Sequence, residues 1–197
     1  MTNIIVTIKE IINKSVELKQ KLLNDEKTVA NIEKIAESIT QCYKNGGKVL
    51  LCGNGGSAAD AQHLAAELSG RFYLDRKPLD AEALHTNTSY LTAVANDYSF
   101  NEIFSRLVKA KGNKGDVLIG ISTSGNSINI INALDFAKQQ GMITVGFTGL
   151  NGGKMKRYCD FLIDVPSSDT PRIQEIHILI GHIICEIVEK QMFEKNK

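Results

Sequence analysis

From Lys48 onward, five short apolar runs alternate with stretches of helical spacing: Val49 to Leu51, Ala81 to Leu84, Val117 to Ile121, Thr144 to Phe147 and Phe161 to Val165. Short buried runs alternating with helices predict an α/β fold whose parallel sheet is covered on both faces. With 197 residues and 43% hydrophobic composition, the chain can bury a full core. No repeat, low-complexity segment or domain linker interrupts it, so 1–197 is expected to be one domain.

Two helices precede the first strand and stand outside the alternation. Residues 2–24 space Ile5, Ile8, Ile12, Val16 and Leu22 as an amphipathic helix. A second helix, from about Asp25 to Tyr43, carries Val29, Ile32, Ile35, Ala36 and Ile39, and Asn45-Gly46-Gly47 stops it. Their apolar stripes need cover. The pair, residues 1–45, reads as a layer for oligomerisation beside the core of 46–197; the competing reading packs both helices on their own sheet.

The first candidate ligand loop follows Leu51 and reads Cys52-Gly53-Asn54-Gly55-Gly56-Ser57-Ala58. Glycine lets a backbone approach a ligand, and Ser57 is placed as the N-cap of a helix whose first N–H groups would face an anion. His63 and Glu67 follow at i and i+4, about 6 Å apart along the axis, and could be acid and base, metal ligands or a surface pair. A second loop, Gly120 to Ser127, offers the hydroxyls of Ser122, Thr123, Ser124 and Ser127 where a strand's carboxyl end meets a helix start. Neither loop contains Lys or Arg, so a phosphate would be held by neutral donors and helix dipoles, which suits a monoester better than a triphosphate.

Residues 53–58 match G-x-G-x-x-A, but the second strand ends in Leu84-His85-Thr86-Asn87 without the acid that would hold a ribose. A G-K-[ST] sequence is also missing, which excludes a P-loop. No nucleotide cofactor is expected. The last helix, about Pro171 to Glu194, carries Gln174, His177 and His182 among isoleucines. Gln174 and His182 lie about 80° apart around its axis, so they can serve one edge of a site, while His177 points to the other side of Gln174.

A net charge of +1 gives no electrostatic footprint for nucleic acid or a membrane surface. No apolar run approaches the roughly 18 residues that suggest a membrane span, and the amino terminus lacks signal-peptide order, so a cytoplasmic location is expected. Cys42, Cys52, Cys159 and Cys185 have no C-x-x-C spacing and read as buried thiols.

Taken together, G-N-G-G-S at 53–57, G-I-S-T-S-G-N-S at 120–127 and R-I-Q-E-I-H at 172–177, with Ala95-Asn96-Asp97 and Asn101-Glu102-Ile103-Phe104, resemble the phosphoheptose isomerases of the sugar isomerase (SIS) superfamily. The resemblance implies a flavodoxin-like five-stranded parallel sheet and a homotetramer with active sites at subunit interfaces. It implies conversion of sedoheptulose 7-phosphate to D-glycero-D-manno-heptose 7-phosphate, the first step of nucleotide-activated heptose biosynthesis for lipopolysaccharide, capsule or another glycan. Ser122, Thr123, Ser124 and Ser127 would hold the phosphate; Asn54, Gly55, Gly56, Ser57 and Gln174 would help bind the sugar phosphate, and Asn96 and Asp97 its hydroxyls. Glu67 and His182 match the acid/base pair, and His63, Glu67, Gln174 and His182 match a zinc site, one ion per subunit. Some members carry an acid three residues ahead of the glutamine; here that position is Pro171, and Asp169 is the nearest substitute. Non-catalytic SIS tetramers that bind the replication initiator share the loops but lack the acid/base pair, and isomerases of other sugar phosphates form a further alternative.

Overall fold

The computed structural model describes residues 4–194. Strands β1 (Val49–Gly53), β2 (Ala81–Ala83), β3 (Val117–Ser122), β4 (Ile143–Thr148) and β5 (Phe161–Asp164) fall on the five apolar runs. All pairings are parallel, and the strand order is β2-β1-β3-β4-β5. The connection after β1 goes to one side of it and every later strand lies on the other, so the order reverses between β1 and β3. A crevice opens there at the carboxyl ends of the strands, where open α/β sheets receive ligands. Both candidate loops leave the sheet at this point.

Alternate strand residues face opposite ways, and each face has its own core. Val49, Leu51, Val117, Ile119, Val145 and Phe147 join Ile35 and Ile39 of α2 (Glu26–Lys44), Leu64 and Leu68 of α3 (Gly56–Ser69), and Ile176 and Ile180 of α7 (Thr170–Phe193). Leu50, Cys52 and Leu118 face α4 (Thr88–Asp97), α5 (Ile103–Lys111) and α6 (Ile128–Gln139), packing on Val94, Phe104, Val108, Ile130 and Leu134.

The two leading helices divide between the two readings. Helix α2 buries Ile32, Ile35, Ala36 and Ile39 in its own chain's core, because its apolar stripe is wide enough to lie on both α7 and the sheet. Helix α1 (Ile4–Leu23) does not: Leu18 is its buried residue, whereas Ile8, Ile12 and Val16 are 51%, 56% and 53% exposed. Residues 2 and 3 of the predicted first helix lie outside the described residues. No helix among the described residues is long and apolar enough to cross a membrane.

Candidate active site

The first loop is shaped by glycine rather than capped by serine. Gly55 occupies the N-cap position with φ 56°, a left-handed conformation that costs glycine nothing, and α3 begins at Gly56. Ser57, expected as the cap, lies one position inside the helix, buried, with its N–H given to the carbonyl of Asn54 at 3.1 Å. Over Gly56 lies Gln174 of α7: a β-carbon at Gly56 would overlap its side-chain amide. The last helix thus meets the first loop at the residue expected to serve the ligand.

The second loop turns its hydroxyls together. Ser122 ends β3, and its Oγ lies 2.9 Å from Ser127 Oγ and 3.5 Å from Ser124 Oγ. Ser127 is the N-cap of α6 but makes no side-chain cap bond; its hydroxyl faces its neighbour instead. The Thr123 carbonyl accepts Gly149 N–H at 2.9 Å, and Asn126 Oδ1 accepts Lys154 N–H at 3.1 Å, so the loop is held from behind by the segments after β4. Three hydroxyls at a helix start suit a phosphate.

A residue that the sequence did not single out joins the two loops. Asn129, in the first turn of α6, is buried and exchanges both side-chain amide bonds with Asn54: Asn54 Nδ2 donates to Asn129 Oδ1 at 2.9 Å, and Asn129 Nδ2 donates to Asn54 Oδ1 at 3.0 Å. Asn54, expected as a sugar ligand, is therefore also a fastener. An asparagine among the isoleucines of a helix start was the available signal.

Helices α3 and α7 bring His63, Glu67 and His182 together. His63 Nε2 stands 3.0 Å from Glu67 Oε1 and 3.1 Å from His182 Nε2. The approach depends on Gly181, where a β-carbon would lie 2.5 Å from both terminal carbons of Leu64 on α3. The Phe72 ring covers His182, centroid to centroid 5.8 Å. One turn before His63, Asp60 is half-buried with a carboxylate oxygen that finds no hydrogen-bond partner among the described residues; burial pushes its pKa up, opposed by His63.

The other candidates behave differently. His177 is fully buried and its Nε2–H donates to the Thr148 carbonyl at 3.0 Å, so it pins α7 to the end of β4; burial pushes its pKa down to about 4. Asn96 and Asp97 are exposed at the end of α4 and bond to each other at 2.9 Å; among the described residues no hydrogen bond joins them to either loop. Asp169 is the N-cap residue of α7 without a side-chain cap bond.

The His63, Glu67 and His182 donor set fits a zinc ion. Their three ligating atoms lie within 4.8 Å of one another. On a tetrahedral zinc with bonds of about 2.0–2.1 Å, ligand atoms stand about 3.3 Å apart, close to the 3.0 Å and 3.1 Å that separate His63 from Glu67 and His182. Two imidazole nitrogens facing each other require a proton or a cation between them, and imidazole and carboxylate are zinc's usual nitrogen and oxygen ligands.

Residues 12–149 match the SIS domain family, which defines the class of protein to which this sheet and its two loops belong. The chain is 59% identical to a phosphoheptose isomerase of Clostridium acetobutylicum over 182 residues, 92% of this chain and 93% of that protein. It is 53% identical to phosphoheptose isomerase 2 of Campylobacter jejuni over 196 residues, spanning 100% of this chain and 98% of the relative. Among solved structures, the phosphoheptose isomerase of Neisseria gonorrhoeae superposes with a TM-score of 0.89 at 43% identity, covering 95% of this chain and 100% of that one. The Francisella tularensis phosphoheptose isomerase gives 0.91 at 36%, covering 96% and 100%. The chain belongs to the phosphoheptose isomerase family of SIS-domain proteins.

Proposed function

We propose that this enzyme converts sedoheptulose 7-phosphate to D-glycero-D-manno-heptose 7-phosphate by aldose-ketose isomerisation through an enediol, in the cytoplasm, at the start of nucleotide-activated heptose synthesis. The observation that carries the reading is the gathering of Glu67 and His182 around His63 across α3 and α7, with Gln174 of the same helix seated over the first loop and Asn129 tying that loop to the start of α6. That supports a grip for phosphate at Ser122 to Ser127 and proton transfer at the other end of an open-chain sugar.

After ring opening, the Glu67 carboxylate takes the proton from C1; the electron pair forms the C1–C2 double bond as O2 gains a proton from His182. The enediol then collapses: the C1 hydroxyl gives its proton to His182, an aldehyde forms at C1, and the proton held by Glu67 goes to C2, which restores both groups. Each such acid or base group typically contributes about 10²- to 10⁴-fold. The phosphate grip aids the chemistry by orienting the reacting end. Zinc, one per subunit on His63, Glu67, Gln174 and His182, would polarise a substrate oxygen only by exchanging one of these ligands or adding a fifth, and it would compete with proton transfer for Glu67 and His182.

Supporting a homotetramer are the exposed Ile8, Ile12 and Val16 of α1 and Val29 of α2, apolar surface in the helical layer expected to pack between subunits.

Incubation of metal-analysed protein with sedoheptulose 7-phosphate, with and without chelator, tests the reading. The aldose product should form, and Glu67→Gln should abolish turnover while sparing sugar phosphate binding. No product under either condition refutes the activity, and a Glu67→Gln enzyme of near-full rate removes Glu67 from the proton path.

A further inference from the structure

We propose that the buried pair Arg76–Glu189 is a positioning device that holds the Glu67 carboxylate in register with the His182 imidazole; the inference rests on the reading of those two groups as the acid/base pair. Neither Arg76 nor Glu189 lies among the substrate or metal candidates, yet their side chains are only 3% and 2% exposed. A buried ion pair replaced by apolar residues of like volume is often no less stable, so its burial alone is weak grounds for a stabilising role. What the pair touches is more specific.

Arg76 Nε donates to Glu189 Oε1 at 2.9 Å. Its Nη2 donates to the carbonyl of Glu67 at 2.9 Å, and its Nη1 to the carbonyls of Leu68 at 2.8 Å and Gly70 at 3.0 Å. Arg76 therefore caps the carboxyl end of α3, where helix carbonyls otherwise lack donors, and one of the carbonyls it takes belongs to Glu67 itself. Glu189 stands seven residues beyond His182 on α7, two turns along and within about 20° of the same face. Its carboxylate also accepts N–H groups of Phe72 at 3.2 Å, Tyr73 at 2.8 Å and Leu74 at 3.0 Å. Burial pushes its pKa up, but these amides and the guanidinium outweigh that and hold it below the usual range, so it is a carboxylate at working pH.

The same carboxylate thus fixes the turn that lays Phe72 over His182 and, through one guanidinium, the backbone of Glu67. The contact of Leu64 with Gly181 sets how closely α3 and α7 approach, whereas the ion pair sets their register along the axis. Without it, the end of α3 is held to α7 by apolar packing alone, which fixes distance better than register, and a displacement of about 1 Å at reacting groups can cost about 10²-fold.

Glu189→Gln and Arg76→Lys test this, each assayed with sedoheptulose 7-phosphate beside Glu67→Gln. In a folded variant kcat should fall about 10- to 100-fold, KM should stay within about threefold, and Arg76→Lys, which keeps charge but loses the fork, should not rescue. Zinc affinity by chelator competition should fall about 10-fold, since its ligands lie on both helices. Wild-type kcat and zinc affinity in either folded variant overturns the proposal, as does failure of both to fold, which would make the pair a determinant of the fold. Full activity of Glu67→Gln would instead overturn the underlying acid/base reading.

Discussion

Replacing Gly181 by alanine tests whether the distance between α3 and α7 controls catalysis. The new β-carbon would lie 2.5 Å from Cδ1 and from Cδ2 of Leu64, against an optimal carbon separation of about 3.5–4.0 Å. Leu64 is itself buried and has little room to turn aside, so α7 must retreat by about 1 Å, carrying His182 away from His63 and Glu67. Overpacking costs about 1–3 kcal/mol, and the better helix propensity of alanine over glycine returns about 1 kcal/mol, leaving a net loss of up to about 2 kcal/mol. Catalysis is more sensitive: a 1 Å displacement predicts a fall in kcat of about 10²-fold. Steady-state kinetics with a parallel thermal melt separates the two effects, and Gly181→Ala combined with Leu64→Ala should recover much of kcat despite lower stability, because the obstructing methyls are gone. A Gly181→Ala enzyme with unchanged kcat would refute the reasoning by showing that Leu64, not the helix, gives way.

Two further outcomes are expected. His177 has its pKa depressed from an ordinary 6.5 to about 4, so it contributes stability that is fully present above pH 6.5 and lost as pH falls toward 4, about 3 kcal/mol in all. Urea melts over that window should show the loss in the wild type and a flatter profile in His177→Gln; matching profiles would assign the acid sensitivity elsewhere. Ile12→Asp alters a residue that is 56% exposed in the single chain, so it should change the subunit's own stability by no more than about 0.5 kcal/mol while lowering the mass seen by light scattering. An unchanged mass would take this part of α1 out of the interface.

The sheet was legible in the sequence because buried parallel strands are written as short apolar runs, and all five strands lie where those runs do. The pairing of His63 and Glu67 was legible for the same kind of reason, since helical periodicity alone puts them on one face. The helix pair was harder to read: α2 covers its own sheet and α1 largely does not, and both stripes have the same period. The N-cap at Ser57 was misplaced because serine propensity favours the cap, whereas the left-handed backbone at Gly55 selects glycine two residues earlier. Arg76 and Glu189 carried no local signal, and Asn129 only that of a polar residue among isoleucines at a helix start. Their partners lie 113 residues away for the ion pair and 75 for the asparagines, and only the folded chain brings them together.

The Asn54–Asn129 exchange also constrains how the two loops can diverge. Because each amide both gives and receives, changing either asparagine alone breaks both bonds: loss of Asn129 strands a donor and an acceptor on Asn54, whereas loss of Asn54 strands the Asn129 Nδ2 donor while its Oδ1 keeps the Ile130 N–H at 3.0 Å, at about 1–3 kcal/mol for each group left buried. A simultaneous change of both can be nearly neutral, since matched apolar groups leave nothing unpaired. Engineers seeking to reshape this pocket for a different sugar should therefore vary these positions as a couplet, and libraries that sample one position at a time will discard combinations that fold well.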